Sequence, residues 1–449
     1  MFGIHDDVFK NLNLVSLING FSRAFIMKLK DFSALCFDMD FTLVNYSLKN
    51  FLPMVYDVTA QFLVEKKGYP KSLQHRDEAD LKLIRQGLLL DKKTHHFIDV
   101  SSTGDIISAY DGSRFLSKDK ISTIYPDNRW PLFDLFYKRF ECDAEYPSYN
   151  DTPYFFFDSC FVSPVIPIIA KHMQSLSSSD PDYSNKCQSF YKDVLESFGF
   201  NFNPENYKAR KGLFFPEMIK NTDLYIKKAS SKLKDRLKEL RDKGTKLVVI
   251  TASHIDYTEL LMTYAYGSDW RDYFDVVCCR ARKPGFFTCS PHARPFFQWH
   301  DKEETVGIEC VIELKSDQTF LEGHWTQVDK WIKCHAEKPG RVAYVGDSFK
   351  SDIVPTKLFS SWDLFAIVLE GKNFLREERE AKYNHVNKKP HLADSEGWGN
   401  FFGSVNQTTM TAGKLIAHAD ITMRDIETLA SLEFDENFES GCFYDFDPY

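Results

Sequence analysis

Four short apolar runs constrain this chain more than any other feature. They are Ala34–Phe37, Lys246–Thr251 (KLVVIT), Phe274–Cys279 (FDVVCC) and Arg341–Asp347 (RVAYVGD). Each is too short for a core helix and too continuously apolar for a strand with one wet face. That pattern fits parallel strands buried on both faces. The segments around them have helical spacing. Ser230–Gly244 places Leu233, Leu237 and Leu240 on one face, with Gly244 as the helix stop. Tyr257–Gly267 and Gln327–His335 read as further helices, and Leu364–Glu370 as a further strand. Helices alternating with apolar strands predict an α/β fold, a parallel sheet with helices on both faces.

The rest of the chain is less regular. Asp57–Lys67 reads as a helix stopped by Gly68 and Pro70, and Gly87–Gly112 as short strands around a Ser-Ser-Thr-Gly-Asp turn. From about Tyr125 to Lys220 the sequence is aromatic, loop-rich and partly helical, with an exposed loop near Ser177. Its most apolar stretch, Tyr154–Met173, carries Asp158, Pro164 and Pro167 and reads as a buried segment, not a membrane span. Gly371–Pro390 is charged and reads as solvated, including the run near Arg376. A helix-like MRDIETLASLEF precedes an acidic, aromatic tail ending at Tyr449. There are no internal repeats.

The net charge of −8 over 449 residues argues against nucleic acid or an anionic membrane as the main partner. It leaves room for a small anionic ligand held by a local cation. The ten cysteines are scattered, with no C-x-x-C pair and no zinc-ligand spacing, so reduced thiols and a cytoplasmic location are expected. The N-terminal stretch lacks a signal-peptide cleavage pattern, and Met27 is an alternative start. The sequons at Asn45 and Asn406 read as chance.

Ligands of open α/β sheets bind beyond the carboxyl ends of the strands. Here those ends carry Asp38, Asp40 and Thr42; Thr251 and Ser253; Lys283 in RARKPGFF; and Asp347 and Asp352 in VGDSFKSD. Singly each is weak, since an Asp-x-Asp or Gly-Asp is often only a turn. Together they suit phosphoryl transfer through a phospho-aspartate. A carboxylate nucleophile, Asp38, splits one displacement into two. Asp40, two residues on and on the same side, serves as general acid and then base. Mg²⁺ takes oxygen ligands, expected from Asp38, the backbone carbonyl of Asp40 and Asp347, with Asp352 direct or supporting. Lys283 offers a point charge, and the Thr251 hydroxyl a contact to a phosphate oxygen. His95 and His96 read as exposed hairpin residues, and His254 as a surface or supporting residue.

These motifs, DMDFT, VVIT, RKP and GDSFKSD, resemble the four motifs of the haloacid dehalogenase superfamily. ARKPGFF and SHIDYTELLMTYAYG narrow the resemblance to the cytosolic 5′-nucleotidase family, over about residues 29–432. The resemblance implies a Rossmann-like core with a cap inserted between the first and second motifs. The expected division is an extension at 1–27, core at 28–115 and 226–400, cap at 116–225, and a C-terminal segment at 401–449. It implies a Mg²⁺-dependent 5′-nucleotidase acting on nucleoside monophosphates, in a family of dimers and tetramers. Family motifs place the nucleophile at Asp38, the acid/base at Asp40, phosphate contacts at Thr251 and Lys283, the metal aspartate at Asp347 and its support at Asp352. The cap departs from the purine-specific pattern. A Phe-Asn pair becomes Phe161-Val162, the expected Arg, Asp and His contacts fall at Leu195, Gly199 and Phe202, and Lys208 remains. Phe161 is a candidate to stack on a base, or a cap core residue. The altered cap and acidic tail also motivate a second reading, a weakly active or inactive nucleotide-binding regulator. Phosphotransfer to an acceptor nucleoside is a third.

Overall fold

The computed structural model describes residues 26–142, 152–299, 310–311, 313–369, 401, 403–404, 407–439 and 442–444. The expected N-terminal extension up to residue 25, the charged stretch 371–390, Asn406 and the last five residues of the tail lie outside them. Among the described residues no helix is long and apolar enough to cross a membrane.

The first buried strand is β1 (Phe32–Phe37), and helix α1 (Leu48–Lys67) follows it. α1 starts well before the expected Asp57 but stops where predicted, because Gly68 takes φ +77 and caps it. Next come β2 (Leu88–Asp91), β3 (His96–Val100), β4 (Ile106–Asp111), β5 (Arg114–Phe115) and β6 (Tyr154–Phe157), then helices α2 (Ile166–Ser175) and α3 (Tyr183–Phe202). The α/β alternation begins with α4 (Ser231–Asp242), β7 (Lys246–Ile250), α5 (Ile255–Tyr266) and β8 (Val276–Cys279). After β9 (Phe296–Gln298), β10 (Cys310–Val311) and β11 (Gln318–Glu322) come α6 (Trp325–His335), β12 (Arg341–Gly346), β13 (Asp363–Ile367), β14 (Ile421–Met423) and β15 (Cys442–Tyr444).

The main sheet has ten strands in the order β10-β9-β11-β8-β7-β1-β12-β13-β14-β15. Eight are parallel, and β9 and β10 form an antiparallel edge. The chain leaves β1 for β7 on one side and returns to β12 on the other. This makes β1 the switch point where the strand order reverses, the place where such sheets bind ligands. Alternate side chains enter opposite cores. Leu35, Phe37, Leu247, Val249 and Val345 face one, and Ala34, Cys36, Val248, Ile250 and Tyr344 the other.

α4 shows the local logic. Ser230 caps it, its hydroxyl accepting the Leu233 N–H at 3.1 Å. Leu233, Leu237 and Leu240 are buried in the first core, roughly 1.5–3 kcal/mol each by apolar transfer.

The second sheet runs β5-β4-β3-β2-β6, all antiparallel. The predicted hairpin is β3 and β4 around the Ser101–Asp105 turn. A boundary at 115/116 falls inside this sheet, because β2 finds its second partner in β6, more than sixty residues on. One sheet face packs on α1, α2 and α3 through Leu88, Leu90, Phe155 and Phe157. The other sends Leu89, Ile98 and Phe156 into the second core of the main sheet. The region expected to be loop-rich holds the twenty-residue α3. The C-terminal helix-like segment is instead the end of β14 and a short helix, Glu427–Ser431.

Candidate active site

A cleft of about 540 Å³ opens at the carboxyl ends of β1, β8 and β12. Asp38, Asp40, Lys283 and Asp347 all line it, from three separate strand ends. β1 places Asp38: its N–H donates to Val345 O at 2.9 Å, continuing the ladder by one residue. The chain then folds back sharply. Phe41 takes φ +57 and the Val44 N–H donates to Met39 O at 2.9 Å, so Asp38 and Asp40 meet one cleft. A left-handed non-glycine residue costs on the order of 1–3 kcal/mol and persists where the surroundings impose it.

Lys283 answers the question of charge. Its side chain is 1% exposed, and its Nζ lies 2.7 Å from Asp38 Oδ1 and 2.6 Å from Asp352 Oδ1. Asp352 also accepts the Tyr344 hydroxyl at 2.9 Å and the Ser348 N–H at 3.0 Å. Gly346 makes this approach possible, since a Cβ there would sit 2.6 Å from Asp352 Cβ. Burial pushes the Asp38 carboxyl up, against the pull of Lys283. Desolvation acts to lower Lys283, but Asp352 and Asp38 outweigh it and hold the ammonium above its usual range. Asp347 is pushed well up by burial and by Asp38 and Asp352.

Asp38, Asp347 and Asp352 present carboxylate oxygens within 4.8 Å of one another. Three carboxylates this close repel strongly, and Lys283 offsets one charge. An all-oxygen set of this kind fits a hard divalent cation such as Mg²⁺. Asp352 already accepts three donors, which suits it to support the site; Asp38 and Asp347 are the pair better placed to ligate.

Asp40 is held from two sides. Its Oδ1 accepts the Tyr46 hydroxyl at 2.5 Å and its Oδ2 the Ser253 hydroxyl at 2.6 Å. Burial raises its carboxyl, while the Ser253 and Tyr46 hydrogen bonds pull it down. Tyr46 also lies 3.3 Å from the Tyr257 hydroxyl.

Thr251 differs from expectation. It is completely buried, and its hydroxyl accepts the Ser253 N–H at 3.1 Å. Ala252 takes its place on the cleft wall. The strand ladder continues through Thr251, whose N–H and C=O both pair with neighbouring strand ends, and this turns the side chain inward. Phe161 does reach the cleft, but it is also wedged edge-on against Phe41 (5.1 Å), Phe51 (5.5 Å) and Phe202 (5.7 Å). Lys208 is exposed and pairs with Asp256 at 3.5 Å. Among the histidines, His95 departs from the exposed hairpin position expected of it. His95 is buried, with its ring nitrogens on the Tyr191 and Ser184 hydroxyls at 3.0 and 2.9 Å. His254 is buried at the start of α5, where Nδ1 accepts the Tyr257 N–H at 3.4 Å.

Several residues of the site carried little signal beyond proximity to a motif: Tyr46, which donates to Asp40, lies six residues past it, and Lys350, on the cleft wall, sits between Asp347 and Asp352. Asp158, Arg282 and Arg294 also line the cleft. Arg282 takes φ +48 and pairs with Glu322 at 2.9 Å. Nothing in the sequence around Arg294 marks it.

Residues 24–393 match the family model described as the 5′ nucleotidase family. The chain is 29% identical over 424 residues to 5′-nucleotidase domain-containing protein 1 of Homo sapiens, covering 90% of each. It is 30% identical over 421 residues to the Bos taurus protein of the same name, again covering 90% of each. Against 5′-nucleotidase domain-containing protein 2 of Homo sapiens, identity is 23% over 372 residues, covering 80% of this chain and 64% of that protein.

Proposed function

The chain belongs to the 5′-nucleotidase family, and from that premise we propose that it is a Mg²⁺-dependent phosphoric monoester hydrolase acting on nucleoside 5′-monophosphates through a phospho-aspartate at Asp38. The observation that carries the reading is Lys283, nearly sealed from solvent between Asp38 and Asp352, at the switch point of a parallel sheet.

In the first half-reaction an Asp38 carboxylate oxygen attacks phosphorus. The P–O bond to the leaving oxygen breaks, and Asp40 delivers its proton to that oxygen. In the second, Asp40 takes a proton from water, the water oxygen attacks the phosphorus of the aspartyl phosphate, and the acyl–phosphate bond breaks to free inorganic phosphate and Asp38. Lys283 orients Asp38 and offsets charge on the transferred group. Tyr46 and Ser253 fix Asp40. Asp38, the Asp40 carbonyl and Asp347, with Asp352 in support, would hold Mg²⁺, which would supply electrostatic stabilisation of the phosphoryl oxygens. The free cysteines, among them the buried Cys36, Cys160, Cys278 and Cys279, fit a reducing compartment, and a cytoplasmic setting is part of the proposal.

The test is phosphate release from a panel of nucleotides and sugar phosphates by the purified chain, with and without Mg²⁺. Turnover that requires Mg²⁺ and falls at least about a thousandfold in Asp38→Asn is expected, as for loss of a nucleophile. Full activity in Asp38→Asn overturns the mechanism. Tight nucleotide binding without turnover of any ester would point to the regulatory reading instead.

A further inference from the structure

We propose that Tyr257 is a positioning residue for the acid/base, acting on Asp40 through the Tyr46 hydroxyl. The proposal rests on the hydrolase reading above and adds a residue to its machinery.

The direction of the hydroxyl chain follows from counting hydrogens. Tyr46 has one hydroxyl hydrogen, and it goes to Asp40 Oδ1 at 2.5 Å. The Tyr257 hydroxyl lies 3.3 Å from the Tyr46 oxygen. With Asp40 ionised, only Tyr257 has a hydrogen left for that contact, so the chain runs from Tyr257 to Tyr46 to Asp40. A hydroxyl that accepts a hydrogen bond becomes a stronger donor. Tyr257 therefore orients Tyr46 and tightens its hold on the carboxylate. Packing alone does not explain a tyrosine here. Tyr257 is 3% exposed, with its ring edge-on to Phe215 at 5.4 Å and to Tyr207 at 6.1 Å. A phenylalanine would fill the same space and bury no polar atom. A buried hydroxyl needs a partner, and among the described residues the partner of this one is Tyr46.

The framework around Tyr257 makes it a fixed point. It is the third residue of α5, and the His254 ring just before the helix accepts its N–H at 3.4 Å. Ser253 precedes that cap and donates to Asp40 Oδ2 at 2.6 Å. One helix start thus holds both carboxylate oxygens, Oδ2 directly and Oδ1 through Tyr46. Neither tyrosine lines the cleft, so a substrate meets Asp40 and not the pair behind it. Support of this kind fixes the geometry of a proton transfer without touching the substrate.

The experiment is a double-variant cycle read on two esters. Tyr257→Phe keeps the ring and removes the hydroxyl. For the best alkyl phosphate of the phosphate-release panel, kcat/KM should fall about three- to tenfold, the worth of one hydrogen bond. For p-nitrophenyl phosphate, whose leaving oxygen needs little protonation, the fall should be smaller. The ratio kcat/KM covers only the steps up to departure of the leaving group, so the comparison isolates Asp40 as acid. Added to Tyr46→Phe, Tyr257→Phe should cost nothing further, because the residue it acts through is already silent. No loss, equal losses on the two esters, or the same loss in Tyr46→Phe as in the parent protein overturns the proposal and leaves the hydrolase reading intact. If no ester is turned over, the hydrolase reading fails by itself. Urea unfolding of Tyr257→Phe, Asp40→Asn and the double variant then decides this one. Midpoint shifts that fail to add are expected, and shifts that add strictly overturn it, since Tyr257 is then uncoupled from Asp40.

Discussion

Tyr46 donates its hydroxyl hydrogen to Asp40 Oδ1 at 2.5 Å, while Ser253 occupies Oδ2 at 2.6 Å. The proposed acid/base is therefore oriented by two hydroxyls, one from just past the first motif and one from just past the second. Tyr46→Phe keeps the ring among Phe41 and Phe51 and removes only the donor. A fall in kcat of about ten- to a hundredfold is expected, a fraction of what a general acid contributes. The loss should be greater for an alkyl phosphate than for p-nitrophenyl phosphate, whose leaving oxygen needs little protonation. Equal losses on both esters would show that Tyr46 acts through structure alone.

Much of this site was legible because the strands and their payloads are local. A buried parallel strand must be apolar throughout, so the polar residues at its end stand out, as Asp38 and Asp347 do. Thr251 shows the limit of that logic. Whether a side chain at a strand end points in or out depends on how far the ladder continues, and that is not written in the residue type. The second sheet was hidden for a different reason. β2 and β6 pair across more than sixty residues, and no local pattern reveals a partner that distant. His95 looked like a hairpin tip residue, yet α3 folds over it and supplies Tyr191 and Ser184. Arg294 depends entirely on tertiary placement.

Lys283 is the residue whose loss should cost the fold most within the site. Lys283→Met leaves Asp352 fully buried with two neutral donors, Tyr344 and the Ser348 N–H. Breaking a buried pair in this way costs about 3–5 kcal/mol. Adding Asp352→Asn removes the stranded charge, so the double variant should be less destabilised than the sum of the two single ones. Urea unfolding of the four proteins measures this, and strict additivity would rule out the pairing as an energetic unit.

Chelation should lower thermal stability as well as activity. Without a divalent cation, Asp38, Asp347 and Asp352 crowd within 4.8 Å with Lys283 as their counter-charge. A cation bound at a hundred times its Kd stabilises by about 2.7 kcal/mol. Returning Mg²⁺ to chelator-treated protein should raise the melting midpoint, and Asp347→Asn should abolish that rise. A rise that survives in Asp347→Asn would place the cation elsewhere.

Two buried imidazoles set an acid limit on stability. Burial lowers His172 to about 4, where it stacks on Phe190 at 3.8 Å. Burial likewise lowers His254 to about 4, with Asp256 opposing and Lys208 and Arg280 reinforcing the fall. Both are neutral in the folded chain at pH 6, while their unfolded counterparts, titrating near 6.5, are largely protonated. The unfolded state therefore binds more protons between pH 6.5 and 4, and stability falls as pH falls through that window. A tenfold change in proton affinity is worth about 1.4 kcal/mol, so each imidazole contributes on the order of 1–3 kcal/mol by pH 4. Melting midpoints at stepped pH values should decline across this range, and His172→Phe, which keeps the stack and removes the titration, should flatten the decline. An unchanged slope in His172→Phe would mean that His172 contributes nothing to the acid sensitivity.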